Sequence, residues 1–216
     1  MSNLQIESLV LYNDQGDQRM LPFRIGGVSI VTGRSKSGKS AIIDIVDYCL
    51  GQRRARIPEG VIMDTVAWYG IRLQLPGQQV FIARPRLEPN RASTNQAYVE
   101  LADSVDIPPF AQLSANTTTE AVEELLTSLV GIQENVHRTP DGQTRPDLEA
   151  NIRHALFYVF QQQDEIAQRY QLFHRQGEES AFPRQFETRC RFSWEPTTRI
   201  NCSLNTRCGK PREQRS

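Results

Sequence analysis

Apolar residues alternate loosely with polar ones from Leu4 to Tyr12 and again from Arg19 to Ile25, with Asn13-Asp14-Gln15-Gly16-Asp17 between the two stretches. A period of two interrupted by turn-forming residues predicts a β-hairpin. Gly26-Gly27 then leads to Val28-Ser29-Ile30-Val31-Thr32, a β-branched run that reads as a buried strand. After residue 40 the period changes. Ile42, Ile45, Val46, Cys49 and Leu50 fall on one helical face, and Gly51 stands where a C-terminal cap belongs. Arg53-Arg54-Ala55-Arg56-Ile57-Pro58 reads as a basic linker. Val66 to Leu75 and Val80 to Arg84 predict a second hairpin turning at Pro76-Gly77, and Ala97 to Leu101 a short strand. Thr118 or Thr119 is placed to cap a helix that runs to Val130 and ends at Gly131. Arg138 to Pro146 is a polar loop. Asp147 then caps a helix or mixed segment carrying Leu148, Ile152, Ala155, Leu156 and Val159.

Between the β-branched run and the helix lies Gly33-Arg34-Ser35-Lys36-Ser37-Gly38-Lys39-Ser40, which fits G-x-x-x-x-G-K-[ST]. Strand, glycine loop and helix are the arrangement that phosphate binding requires. The glycines let successive N–H groups turn inward as an anion-binding nest, and the helix start adds its positive dipole end beneath. Lys39 would reach the β- and γ-phosphates and the Ser40 hydroxyl would ligate Mg²⁺. Lys36 adds charge to the loop or lies in solvent.

Composition narrows the setting without changing this picture. The chain has 216 residues, enough for one domain and a short extension. Its 25 Lys and Arg balance 25 Asp and Glu, so net charge makes no general case for nucleic acid or membrane. With neither a membrane-length apolar run nor a signal peptide at Met1 to Leu11, a cytoplasmic location is expected. Cys49 belongs to the apolar helix face, where a buried thiol is the ordinary outcome. Cys190, Cys202 and Cys208 are spaced too widely for a zinc pair and have no histidine after them, so a metal cluster is rejected. His137, His154 and His174 are isolated and read as structural or solvated.

Antiparallel strands ahead of a phosphate loop resemble the ABC-type ATPase head, in particular its SMC, RecF and RecN branch. In that branch the helix carries an early aspartate, and Asp44 occupies the position. Ala155-Leu156-Phe157-Tyr158-Val159-Phe160-Gln161 resembles the segment whose glutamine, at the end of a strand, contacts Mg²⁺ and the attacking water. By resemblance that role falls to Gln161, with Gln163 as the alternative alignment. Thr32 to Gly51, Phe160 to Ala167 and Leu172-Phe173-His174-Arg175-Gln176 are similar to a bacterial SMC-like ATPase family of multi-component, defence-type systems. Ser35-Lys36 departs from the Asn-Gly usual in SMC loops.

The resemblance implies an α/β fold: a P-loop NTPase, the N-terminal lobe of an ABC/SMC-type head with antiparallel strands beside the nucleotide-binding core. Residues 3–178 would form this lobe and 179–216 a tail. An ABC-type head also needs an apolar strand ending in Asp-Glu and a Ser-Gly-Gly signature, and neither occurs in the sequence. The tail is rich in arginine and cysteine and has no helical or strand period. It reads either as disordered or as the product of a shifted reading frame. Taking the third base of each codon with the first two of the next, the codons from Gln185 onward permit Ile-Arg-Asp-x-Leu-Pro-Phe-Phe-Leu-Gly-Ala, with Trp194-Glu195 forced to give Gly. That string resembles the continuation of the Leu-Phe-His-Arg-Gln motif in the family, so a truncated ATPase is expected, its coiled coil and second lobe lost.

The expected function is the ATP-binding half of an SMC-like head, using ATP and Mg²⁺ in DNA-related work such as repair, chromosome maintenance or genome defence. Its partners would be the C-terminal lobe of the same ATPase or a second head closing around ATP, and DNA, with no membrane. Alone the chain would hydrolyse ATP very slowly. Arg53, Arg54 and Arg56 either contact the phosphate of nucleotide or DNA or form a solvated linker. The competing readings are a non-catalytic remnant and a small P-loop NTPase or kinase of another class.

Overall fold

The computed structural model describes residues 4–35, 37–88, 91, 93–132, 136–137 and 148–161. It is a mixed α/β structure built on a six-stranded antiparallel sheet. Strand β1 (Gln5–Asn13) pairs with β2 (Gln18–Pro22) through the predicted turn, where Asn13 Oδ1 accepts from the N–H groups of Gln15 and Asp17. Helix α1 (Ala41–Cys49) and the short α2 (Val61–Thr65) follow. Strands β3 (Val66–Leu75) and β4 (Gln78–Pro85) form the second predicted hairpin, with Gly77 at φ 76° in the turn. Strand β5 (Gln96–Ala102) is joined to the two-residue β6 (Thr117–Thr118), giving the order β2-β1-β3-β4-β5-β6.

Helix α3 (Thr119–Val130) begins where the sequence places it. The Thr118 hydroxyl oxygen accepts from Ala121 N–H at 3.3 Å, and Gly131 ends the helix in the left-handed region. Two residue pairs, β7 (Val136–His137) and β8 (Leu148–Glu149), make a small separate ladder. Helix α4 (Ile152–Val159) is capped by Asn151, not by Asp147 as the sequence predicts; Leu148 and Glu149 are drawn into β8, which delays the helix start. The His154 ring closes this cap by accepting from Asn151 N–H through Nδ1.

Strand alternation sorts the core into two faces. Leu9, Tyr69, Ile71, Leu73, Val80 and Ile82 pack under the helices with Ile45, Val46, Leu50, Val122, Leu126 and Ile152. Val10, Tyr12, Phe81 and Ala83 face the other way, covered by Val105 and Leu113 from an irregular stretch. Strand β4 is thus buried on both sides. At Gly70 an added Cβ would meet the Phe81 ring at 2.7 Å, so only glycine leaves room for it.

The sequence predicts a buried strand at Val28–Thr32. The structure shows no strand there, and Val28 and Ile30 are 83% and 81% exposed. A strand is defined by its neighbour, and among the described residues none pairs with this segment. The second strand of the first hairpin is also shorter than predicted, ending at Pro22 rather than Ile25. The tail after residue 161, and with it Gln163, His174, Cys190, Cys202 and Cys208, lies outside the described residues, as do Lys36 and the loop at 138–147.

Candidate functional site

Helix α1 carries the glycine loop at its N-terminus, and both of its ends follow from sequence. At the C-terminal end Gly51 (φ 97°) lets its N–H return to Tyr48 O and lets Gln52 N–H return to Asp47 O, a complete Schellman pair. At the N-terminal end Ser40 already has helical backbone angles and makes no side-chain capping bond. The first turn is closed instead by Ala41 N–H to Gly38 O at 3.1 Å and Ile42 N–H to Lys39 O at 3.2 Å. The Ser40 hydroxyl is exposed at the mouth of the loop.

Lys39 closes the loop on itself. Its ammonium donates to Gly33 O at 2.9 Å, Arg34 O at 2.6 Å and Ser37 Oγ at 3.2 Å. A cation is thereby fixed within the loop at the N-terminus of α1, where the helix dipole favours an anion. The glycines are needed for this geometry. Gly38 sits at φ 83°, and a Cβ on it would press on Ile62 Cδ1 at 3.2 Å. A Cβ on Gly33 would stand 3.2 Å from Ser37 Oγ. Both positions form a cradle that a larger residue would fill.

The loop opens into a cleft of about 1040 Å³. Ser35, Ser37, Gly38, Lys39 and Ser40 form one wall, the β1–β2 hairpin from Leu11 to Arg19 a second, and the residues around α2 a third. This volume accommodates a ligand of nucleotide size. Arg19, Asp17 and Glu59 add charged groups to the cleft. Nothing in the sequence marks them, because their meeting depends on the hairpin register and the path from Pro58 to Thr65.

The other predicted site residues are not gathered here. Gln161 is exposed and does not line the cleft. It follows helix α4 through the extended Phe160, whereas the resemblance puts the glutamine at a strand end. Among the described residues the run from Ala155 to Val159 has no sheet neighbour, and Ile152, Ala155, Leu156 and Val159 repeat with helical spacing, which accounts for the difference. Arg53, Arg54 and Arg56 are exposed outside the cleft, and Arg54 bridges to Ser93. The Glu120 carboxyl is held low chiefly by its own backbone N–H, with Arg53 adding a smaller pull, whereas burial raises Glu123 against the pull of Arg53 and Arg153. Asp44 lies in the first turn of α1, half-buried.

The far end of α1 holds residues that sequence reading missed. Arg84, at the end of β4, is fully buried and donates to Tyr48 O and Gln52 O, both at 2.7 Å, and to Thr94 O at 2.6 Å. Its guanidinium lies 3.9 Å over the Tyr48 ring. Arg153 from α4 pairs with Asp47 at 2.6 Å and also donates to Gln52 Oε1. Cys49 is buried as expected, and burial pushes its thiol up to about 12. No helix among the described residues is long and apolar enough to cross a membrane. No protein-family model, no curated protein and no solved structure matches the chain.

Proposed function

We propose that this chain is the nucleotide-binding half of an SMC-like ATPase head. It would hold Mg-ATP on the 33–40 loop and serve DNA-related work (repair, chromosome maintenance or genome defence) in the cytoplasm once joined to a C-terminal lobe or a second head. The observation that carries the reading is the Lys39 ammonium bridging the Gly33 and Arg34 carbonyls at the N-terminus of α1, with the cleft beside it. The residues present fit the ligand. The N–H groups of the nest would bind the phosphates, Lys39 would bridge the β- and γ-phosphates, and the uncapped Ser40 hydroxyl would hold Mg²⁺. The metal would offset charge on the phosphate oxygens.

Lys39→Ala in the full chain tests the reading by calorimetric titration with Mg-ATP. Loss of two charge-assisted contacts, each worth about 1.5–3 kcal/mol, predicts at least a hundredfold weaker binding. A wild-type chain that does not bind Mg-ATP at millimolar concentration, or a Lys39→Ala chain that binds it equally well, refutes it. A second reading, a non-catalytic remnant, is favoured by the exposure of Val28 and Ile30, which a complete head would cover. Supplying the C-terminal lobe separates the two: DNA-stimulated hydrolysis belongs to the first reading only.

A further inference from the structure

We propose that Arg84 is a positioning residue, which fixes helix α1 at the end remote from the phosphate loop and so sets the axial place of the loop. The inference rests on the nucleotide-binding reading above.

Other contacts also hold the helix. Ile45, Val46, Cys49 and Leu50 pack into the core, but apolar contact is non-directional and tolerates a helix sliding along its axis. At the N-terminal end Ser40 makes no side-chain capping bond, and residues 28–35 before it are exposed. Among the described residues, sheet side chains bond α1 directionally at the other end. Arg84 takes the Tyr48 and Gln52 carbonyls, and Tyr48 Oη donates to Pro85 O at 2.8 Å.

Stability alone is a poor reason for this arginine. Among the described residues no carboxylate lies within ion-pair distance of it, and its Nε has no hydrogen-bond partner. A buried cation is costly, and an apolar side chain of similar volume often replaces one without loss. What a rigid fork of donors does, and an apolar chain cannot, is fix several carbonyls in direction at once. Here the carbonyls lie at the negative end of the α1 dipole and at Thr94. A helix of nine residues carries that constraint about 13.5 Å to the loop. Misplacement by about 1 Å there would spoil the inward aim of the N–H groups.

The experiment measures ATP and AMP affinities, with Mg²⁺, for the wild type, Arg84→Met and Arg84→Lys in the full chain. All are read at a temperature where circular dichroism shows them folded. The wild type is expected to prefer ATP strongly over AMP. Arg84→Met should lose tenfold or more in ATP affinity while AMP affinity changes little, so the preference collapses; Arg84→Lys should fall between. A purely structural role would lower the melting temperature and leave the preference of the folded protein intact. Folded Arg84→Met with ATP affinity and preference within twofold of wild type overturns the proposal. Should Arg84→Met not fold, Arg84→Lys decides alone: at least a threefold loss of preference supports the proposal, and wild-type preference overturns it. A wild-type chain that binds neither nucleotide refutes the functional reading itself, and the proposal with it.

Discussion

The ion pair between Arg153 and Asp47 ties the last described helix to α1, and its strength can be worked from burial. The side chains are 18% and 10% exposed, with Nη1 at 2.6 Å from Asp47 Oδ1 and 3.3 Å from Asp47 O. An exposed pair of this kind contributes about 0–1 kcal/mol. Removing one member of a buried pair costs about 3–5 kcal/mol, because the other charge stays behind without its counter-ion. The low exposure places this pair near the lower end of the buried range, so Arg153→Met should cost about 3 kcal/mol. Asp47→Asn should cost somewhat less, since an amide still accepts from the guanidinium. The double variant should lose less than the two single losses together, with a coupling energy of about 2 kcal/mol. Urea unfolding of the four proteins gives all these values, provided the denaturant slope is constant. The coupling should persist in 0.5 M salt, where an exposed pair is screened. A single-variant loss below about 1 kcal/mol, or a coupling that salt abolishes, would show that the pair behaves as a surface contact.

Two further outcomes follow from the core. Burial raises the Cys49 thiol and the Tyr69 hydroxyl to about 12, and raises Tyr12 and Tyr48 as well. Unfolded, these groups lose their protons from about pH 8.5 for cysteine and about pH 10 for tyrosine. The native state then holds more protons than the unfolded one, so stability is full below about pH 8.5 and declines as pH rises towards 12. The slope should reach about 1.4 kcal/mol per pH unit for each group, and a urea midpoint unchanged between pH 8 and pH 11 would contradict it. Gly70→Ala should destabilise by about 1–3 kcal/mol through the 2.7 Å approach to Phe81, measured in the same urea assay. Adding Phe81→Leu should recover part of that loss; no recovery would mean the cost has another origin.

What the sequence made legible was local. The two hairpins announce themselves because alternation and turn residues occupy adjacent stretches, and α1 and α3 because Gly51, Thr118 and Gly131 mark their ends. The glycine pattern of residues 33–40 is local in the same way, and Gly38 takes up the positive φ expected of a tight loop before a helix. The failures concern partners distant in sequence. Val28 to Thr32 has the composition of a strand, but a strand also needs a neighbour. Arg84 stands at the end of a predicted strand, and its burial depends on the Tyr48 and Gln52 carbonyls of a segment far away in sequence. Val105 and Leu113 lie in a stretch without periodicity, so the second face of the sheet gave no signal of its cover. The resemblance puts Gln161 at a strand end, whereas the residues before it have helical spacing and form α4.

The unpaired segment from Ile25 to Thr32 bears on how this protein should be handled at the bench. Among the described residues it shares none of the ladder bonds that knit the sheet, and Arg84 holds the helix beyond the loop at its other end. Order in the loop and order in the sheet are therefore separate properties, each able to disappear without the other. A sample that melts in one sharp transition reports an intact sheet and says nothing of the loop. The early warning of a spoiled preparation would come from protease nicking near Thr32, well before any change in the melting curve.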